Sequence, residues 1–300
     1  MTPFRDFAHA PITATAPPIE PGVVLETSMT DDWLQGRVAF GGIQGALAAL
    51  AMRAAVGPEL PMRALQFTFV SAIQAGSVQA EASVLRQGRA ITHAQCRLIS
   101  AGRVAALAVG LYGAGRQTLA EHDMPAPAGI KPIEALHDAP WLPDRMPGFL
   151  KHWQMRWAGG ALPFSGQAPR PATVWARLRE QPLDTQATAG SGEPRPAGAL
   201  ACPTPAWPDD AAGREACQVA LADLPASPVL SMLTRPAPGA SLTWLLEWLA
   251  DPRDADPQDW TLLQTETRHA AQGYTSQTAR LWSARGRPLG VSHQTTAVFG

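Results

Sequence analysis

Gly88–Tyr112 reads GRAITHAQCRLISAGRVAALAVGLY, and Gly273–Phe299 reads GYTSQTARLWSARGRPLGVSHQTTAVF. Each is an alternating run, a short turn ending in Gly-Arg, and a second alternating run. Alternation marks strands with one face turned to a core. The turns at Gly102-Arg103 and Gly286-Arg287 align, so one fold unit occurs twice. The copies differ at one place. The second carries Ser292-His293-Gln294-Thr295-Thr296 where the first carries Ala108-Val109-Gly110-Leu111-Tyr112. A duplicated scaffold with polar residues on one copy points to a functional site in the second half.

Working outward, each repeat is preceded by a helix and two further strands. Phe40-Gly41-Gly42 opens a helix predicted over Ile43–Val56, apolar on nearly every face and therefore buried. Gly57-Pro58 stops it. Strands are predicted over Ala64–Ser71, Gly76–Arg86, Ala90–Ser100 and Arg103–Tyr112. Short strand pieces are expected at Val23–Met29 and Gly36–Ala39. In the second half, strands are expected at Lys151–Ala158 and Thr173–Leu178. A helix follows over Asp209–Leu224, with Asp209 or Asp210 as its N-cap. Strands at Ser241–Trp248, Trp260–His269, Tyr274–Ser283 and Pro288–Phe299 complete the unit. Two Pro/Gly-rich stretches, near 115–148 and over Ala187–Trp207, read as a linker and a loop. The organisation is an N-terminal unit over 1–115, a linker over 116–148 and a C-terminal unit over 149–300. The fold class is α+β: a double hotdog, two antiparallel sheets each wrapped around a central helix.

Composition narrows the function. Of 300 residues, 46% are hydrophobic and 16% charged, which fits large packed cores rather than a disordered chain. A net charge of −1 gives no electrostatic footprint for nucleic acid. Lys131 and Lys151 are the only lysines, a bias that suits a GC-rich genome. Cys96, Cys202 and Cys217 show no CxxC spacing and cannot all pair, which fits a reduced, cytoplasmic compartment. The first residues lack the charged and apolar regions of a secretory signal. No apolar run approaches the ~20 residues needed to span a bilayer. The seven histidines form no HxH or HExxH spacing, so neither a metal nor another cofactor is expected.

Several segments resemble the acyl-CoA thioesterase II-like group of the thioesterase-like double-hotdog superfamily. They are AFGGIQGALAALAMRA from Ala39, LRQGR from Leu85, HWQMRWAGGALPFSG from His152, ALADLPASPVL from Ala220, and the C-terminal repeat. The resemblance spans most of the chain apart from the two Pro-rich stretches. It implies a catalytic trio of Asp, a hydroxyl residue and Gln in the second unit. The trio falls on Asp223 in LADLP, Ser241 in GASLTW and Gln294 in SHQTTAVF. Ser241 stands where the best-known members have threonine. Without the resemblance, Asp223 reads as a helix-end residue, Ser241 as a turn residue and Gln294 as a strand-edge side chain.

The residue types fit thioester hydrolysis. That reaction needs a water aimed at an electrophilic carbonyl and stabilisation of the oxyanion. It needs no serine nucleophile, and the chain has no G-x-S-x-G elbow. Asp223 can take a proton from water while Gln294 and Ser241 hold that water. Helix-start amides can bind the oxyanion, and Gly41 and Gly42 let a thioester approach them closely. His293 neighbours Gln294 and should face the opposite side of the sheet. Arg86, Arg89 and Arg97 are candidate contacts for CoA phosphates by charge alone.

The expected activity is an acyl-CoA thioesterase of fatty acid metabolism, acting on acyl-CoA to release fatty acid and CoA. No nucleic-acid or membrane partner is expected, and the resemblance implies a homodimer or larger homo-oligomer. Two alternatives stay open. One is a hotdog hydratase or dehydratase of acyl thioesters, disfavoured because neither predicted helix carries a histidine. The other is a non-catalytic acyl-thioester or lipid-binding protein on the same scaffold.

Overall fold

The computed structural model describes residues 22–143, 145–180, 183 and 210–299. The first half runs β1 (Val23–Met29), β2 (Leu34–Gln35), β3 (Val38–Ala39), α1 (Gly41–Val56), β4 (Met62–Phe69), β5 (Gly76–Gln87), β6 (Ile91–Ser100) and β7 (Arg103–Gly113). The second runs β8 (Trp153–Gly159), β9 (Ala172–Leu178), α2 (Ala211–Ala222), β10 (Gly239–Trp248), β11 (Thr261–Ala271), β12 (Tyr274–Ser283) and β13 (Pro288–Val298).

Eleven strands form one antiparallel sheet in the order β1-β5-β6-β7-β4-β10-β13-β12-β11-β9-β8. The order is nearly palindromic about β4 and β10, as duplication requires. Helix α1 and strands β4 to β7 match α2 and β10 to β13 one for one. The two halves join where β4 pairs with β10, with Phe67 opposite Trp244 and Leu65 opposite Leu246. That pairing removes two exposed strand edges at once. Both helices pack into one core with the sheet, as a double hotdog requires.

The helices pack against each other because their contact faces are small. Ala46, Ala48, Ala49 and Ala51 of α1 are fully buried, as are Ala216, Val219 and Ala220 of α2. Gly45 is required at the crossing: a Cβ there would lie 2.6 Å from the Trp244 ring. The helices run so that the start of α1 meets the end of α2. Toward the opposite end, Arg53 in the last turn of α1 meets Glu215, the fifth residue of α2. Arg53 Nε donates to Glu215 Oε1 at 3.1 Å and Nη2 to Oε2, with both side chains buried.

The strand expectations hold within a residue or two, and the differences have local causes. Helix α1 begins at Gly41 rather than Ile43, since glycine tolerates the tight first turn. Gly36–Ala39 belongs to a small hairpin, with β2 and β3 turning at Gly36, whose φ is +70°. Asp210 is the N-cap of α2, its carboxylate accepting from the Gly213 N–H at 2.7 Å. Asp209, Cys202 and the Ala187–Trp207 loop lie outside the described residues. The segment expected as a linker packs on the sheet: Met124, Ala126, Ile130, Ile133 and Leu136 cover Trp175, Leu262 and Trp282. The turn that follows it, Gly148–His152, docks on the first half. Phe149 stacks on Phe40, and His152 stacks on Trp33, each with ring centroids 3.9 Å apart. This fixes the residue that leads into Gly41 and so anchors the start of α1.

Candidate active site

Helix α1 has no side-chain N-cap of its own: Phe40 occupies that position and offers no acceptor. The first amides of a helix are unpaired donors at the positive end of its dipole. The acceptor comes from the other half. Asp223 is the C-cap residue of α2, and Pro225, two residues on, lacks the amide N–H that continuing the helix would need. Its carboxylate reaches the start of α1 and accepts from the Gly42 N–H.

Both glycines are dictated by this approach. A Cβ on Gly41 would lie 2.5 Å from Asp223 Oδ2 and 3.1 Å from the Phe69 ring. A Cβ on Gly42 would lie 2.5 Å from the Ala220 carbonyl oxygen. The sequence assigned Gly41 and Gly42 to close approach of a thioester. The structure adds that they make room for Asp223 and for the end of α2.

Gln294 reaches the same carboxylate from β13. Its Nε2 donates to Asp223 Oδ1, and its Oε1 accepts from Gln277 Nε2 at 2.7 Å. Gln277 lies directly opposite it on β12. Burial pushes the Asp223 carboxyl up to about 7, against the pull of the Gln294 and Gly42 hydrogen bonds toward lower values. Near neutral pH both the protonated and the ionised carboxyl are therefore populated. A small cavity adjoins it, lined by Ala222, Asp223, Pro225, Thr265, Gln277, Ala279, Ser292 and Gln294. Among these residues Asp223 is the one titratable group.

Ser241 is brought near but not into this cluster. It is the third residue of β10, opposite Thr296, two residues beyond Gln294 on β13. It does not line the cavity, and among the described residues it makes no hydrogen bond to Asp223 or Gln294. His293 faces the other way, as alternation predicts: it is exposed, and its Nδ1 lies 3.2 Å from Thr278 Oγ1. It borders a shallow concavity of about 300 Å³ at the β4–β10 seam, with Gln66, Thr68, Thr243 and Ser276. Arg97 is paired with Glu81 at 2.6 Å. Among the described residues, no three of His, Cys, Asp and Glu converge as metal ligands.

Duplication creates a second, pseudo-equivalent position in the first half, and it lacks these groups. Gly57 caps α1 where Asp223 caps α2. Ala94 and Gly110 pair where Gln277 and Gln294 pair. The space is filled: a Cβ on Gly110 would meet Tyr112 at 2.9 Å and Met52 Sδ at 3.1 Å. Among the described residues the polar cluster thus occurs once. Gln277 was not anticipated from sequence, because an alternating strand does not reveal which inward amide meets which.

Comparison with known proteins agrees with this architecture. Residues 29–113 match the family described as the acyl-CoA thioesterase N-terminal domain, and residues 131–298 match the acyl-CoA thioesterase C-terminal domain. A hot dog fold protein of unknown function from Alicyclobacillus acidocaldarius superposes with a TM-score of 0.74 at 19% identity. The match covers 93% of this chain and 94% of that one. An acyl-CoA thioesterase II from Mycobacterium marinum superposes with a TM-score of 0.60 at 16% identity, covering 87% and 90%. At these identities the likeness is one of fold. No curated protein sequence matches the chain.

Proposed function

The chain belongs to the acyl-CoA thioesterase family, and from that premise we propose that it hydrolyses acyl-CoA with Asp223 as general base. The observation that carries this reading is the Asp223 carboxyl: buried at the start of α1, held by Gly42 and Gln294, and poised at about 7. A base near the working pH combines a useful ionised fraction with real proton affinity.

The reaction follows from these parts. Ionised Asp223 takes a proton from a water as that water's oxygen attacks the thioester carbon. The carbonyl electrons move to oxygen, and the Gly41 amide at the start of α1 faces that charge with the helix dipole behind it, while the Gly42 amide stays with Asp223. The oxyanion then collapses, the C–S bond breaks, and the CoA sulfur leaves with the proton from Asp223. The products are a carboxylic acid and free CoA. Gln294 holds the Asp223 carboxylate in place, and Ser241 supplies a hydroxyl on the adjoining strand. General-base help of this kind is worth roughly 10²–10⁴-fold.

In this reading residues 149–300 are the catalytic unit. Residues 1–115 supply the α1 amides and one wall, and 116–148 tie the two together. The enzyme works in the cytoplasm, in fatty acid metabolism, as a homodimer or larger assembly, which light scattering would measure. Among the described residues no helix is long and apolar enough to cross a membrane.

The test is thiol release from a panel of acyl-CoA esters by the wild type, Asp223→Asn and Ser241→Ala. Release by the wild type, lost on Asp223→Asn and reduced less than tenfold by Ser241→Ala, is expected. Binding of acyl-CoA without release from any ester would favour the non-catalytic alternative. Hydration of an enoyl-CoA in place of thiol release would favour the hydratase.

A further inference from the structure

We propose that Gln277 is a positioning residue of this site: it fixes the Gln294 amide with its NH₂ toward Asp223, and together with Thr265 it binds one buried water. The proposal rests on the thioesterase reading above for its kinetic consequences, but not for its geometry.

A glutamine side chain is nearly symmetric in shape, and its two ends are opposite in hydrogen-bonding character. If the Gln294 amide turned over, its oxygen would face the Asp223 carboxylate, acceptor against acceptor. Gln277 prevents that. Its Nε2 donates to Gln294 Oε1 at 2.7 Å, so the oxygen end is held toward β12 and the nitrogen end is left for Asp223. Strand register sets the pair, since Gln277 and Gln294 are directly opposite on β12 and β13.

The far end of Gln277 points to the second half of the proposal. Its Oε1 and the Thr265 Oγ1 are both buried and have no protein partner, with the residues 6% and 1% exposed. Native proteins seldom leave such atoms unpaired. Both residues line the cavity beside Asp223, in which about 10 Å³ is open to the centre of a water molecule. That is close to the room one water needs, and two to four polar partners are what one water takes. Thr265 can donate to this water, and the water to Gln277 Oε1. Every hydrogen bond then runs in one direction: Thr265 to water to Gln277 to Gln294 to Asp223. The pseudo-equivalent pair in the first half, Ala94 and Gly110, has neither amide.

Titration of Asp223 is a clean reporter of this arrangement. It is the one titratable residue lining the cavity, the first turn of α1 carries no acidic side chain, and His293 lies on the opposite face. The experiment compares the wild type with Gln277→Leu and Thr265→Val. Gln277→Met serves as a second, unbranched replacement if Gln277→Leu fails to fold by circular dichroism. Three quantities are read: kcat, KM, and the titration midpoint of the Asp223 carboxyl by ¹³C NMR. Loss of Gln277 is expected to lower kcat about tenfold or more with KM unchanged, since Gln294 is left with an unpaired buried oxygen. The Asp223 midpoint is expected to move up, because the Gln294 hydrogen bond that lowers it is lost. Thr265→Val is expected to remove an ordered water from a high-resolution crystal structure and to reduce kcat less. Wild-type kcat and an unmoved midpoint in both Gln277 variants would overturn the proposal. If the wild type releases no thiol from any ester, the thioesterase reading fails, and the NMR midpoint alone decides whether Gln277 positions Gln294.

Discussion

Gly41→Ala tests the position of the Asp223 carboxylate at the start of α1. A methyl group at Gly41 would sit 2.5 Å from Asp223 Oδ2, where 3.4 Å is an ordinary contact. It would also press on the Phe69 ring at 3.1 Å, so it cannot simply lean the other way. The carboxylate must therefore retreat by close to an ångström and give up its bonds to the Gly42 N–H and the Gln294 amide. Misplacement of a catalytic group by about 1 Å costs on the order of 100-fold in rate. Backbone propensity acts in the opposite sense: alanine in place of helical glycine is worth up to about 1 kcal/mol. The expected result is a fall in kcat of about 100-fold together with a net loss of unfolding stability, because two hydrogen bonds to a carboxylate, each worth about 1.5–3 kcal/mol, outweigh the propensity gain. The assay is thiol release under saturating acyl-CoA, paired with urea denaturation. Because the lost hydrogen bonds lower the Asp223 carboxyl, its titration should also move upward in the variant. A Gly41→Ala enzyme with kcat within twofold of the wild type would refute the claim that Asp223 acts from this position.

Asp223 has its folded value raised from 3.8 to about 7, so the folded state holds the proton more tightly than the unfolded chain. Its contribution to stability is therefore full below about pH 4 and is lost as pH rises through about 7. Asp223→Asn should be more stable than the wild type at pH 8, by up to about 4 kcal/mol, with the gap closing toward pH 4; denaturation midpoints across that range check it. Glu215→Leu leaves the buried Arg53 without its counter-charge, with only the Gly57 and Leu60 carbonyls as acceptors, and should cost roughly 3–5 kcal/mol, while Arg53→Met added to it should recover part of the loss.

Much of the fold was legible because the sequence carries it twice. The Gly102-Arg103 and Gly286-Arg287 turns set the register of four strands, and the all-apolar run from Ile43 marked a buried helix. The β4–β10 seam was not legible, since an edge that can pair looks the same in sequence as one that does pair. The Arg53–Glu215 contact joins residues 162 positions apart and leaves no local pattern. Of the candidate site, Asp223 and Gln294 came from the family resemblance, and the structure brings them into contact. Ser241 stays one step away, because it pairs with Thr296 rather than with Gln294. Gln277 went unnoticed because an inward-facing glutamine is informative only once its cross-strand partner is known. The segment from Met124 to Leu136 looked like a linker because its apolar residues are spaced irregularly, yet they cover Trp175 and Trp282.

The pH dependence of kcat/KM for thiol release tests the central claim most directly. If Asp223 is the base, activity depends on its ionised form, which is minor below about pH 7 and dominant above it. The profile should rise with unit slope through the acid range and bend near pH 7, and Asp223→Asn should lack both the limb and the activity. A profile flat down to pH 5, or an Asp223→Asn enzyme with wild-type kcat/KM, would contradict it.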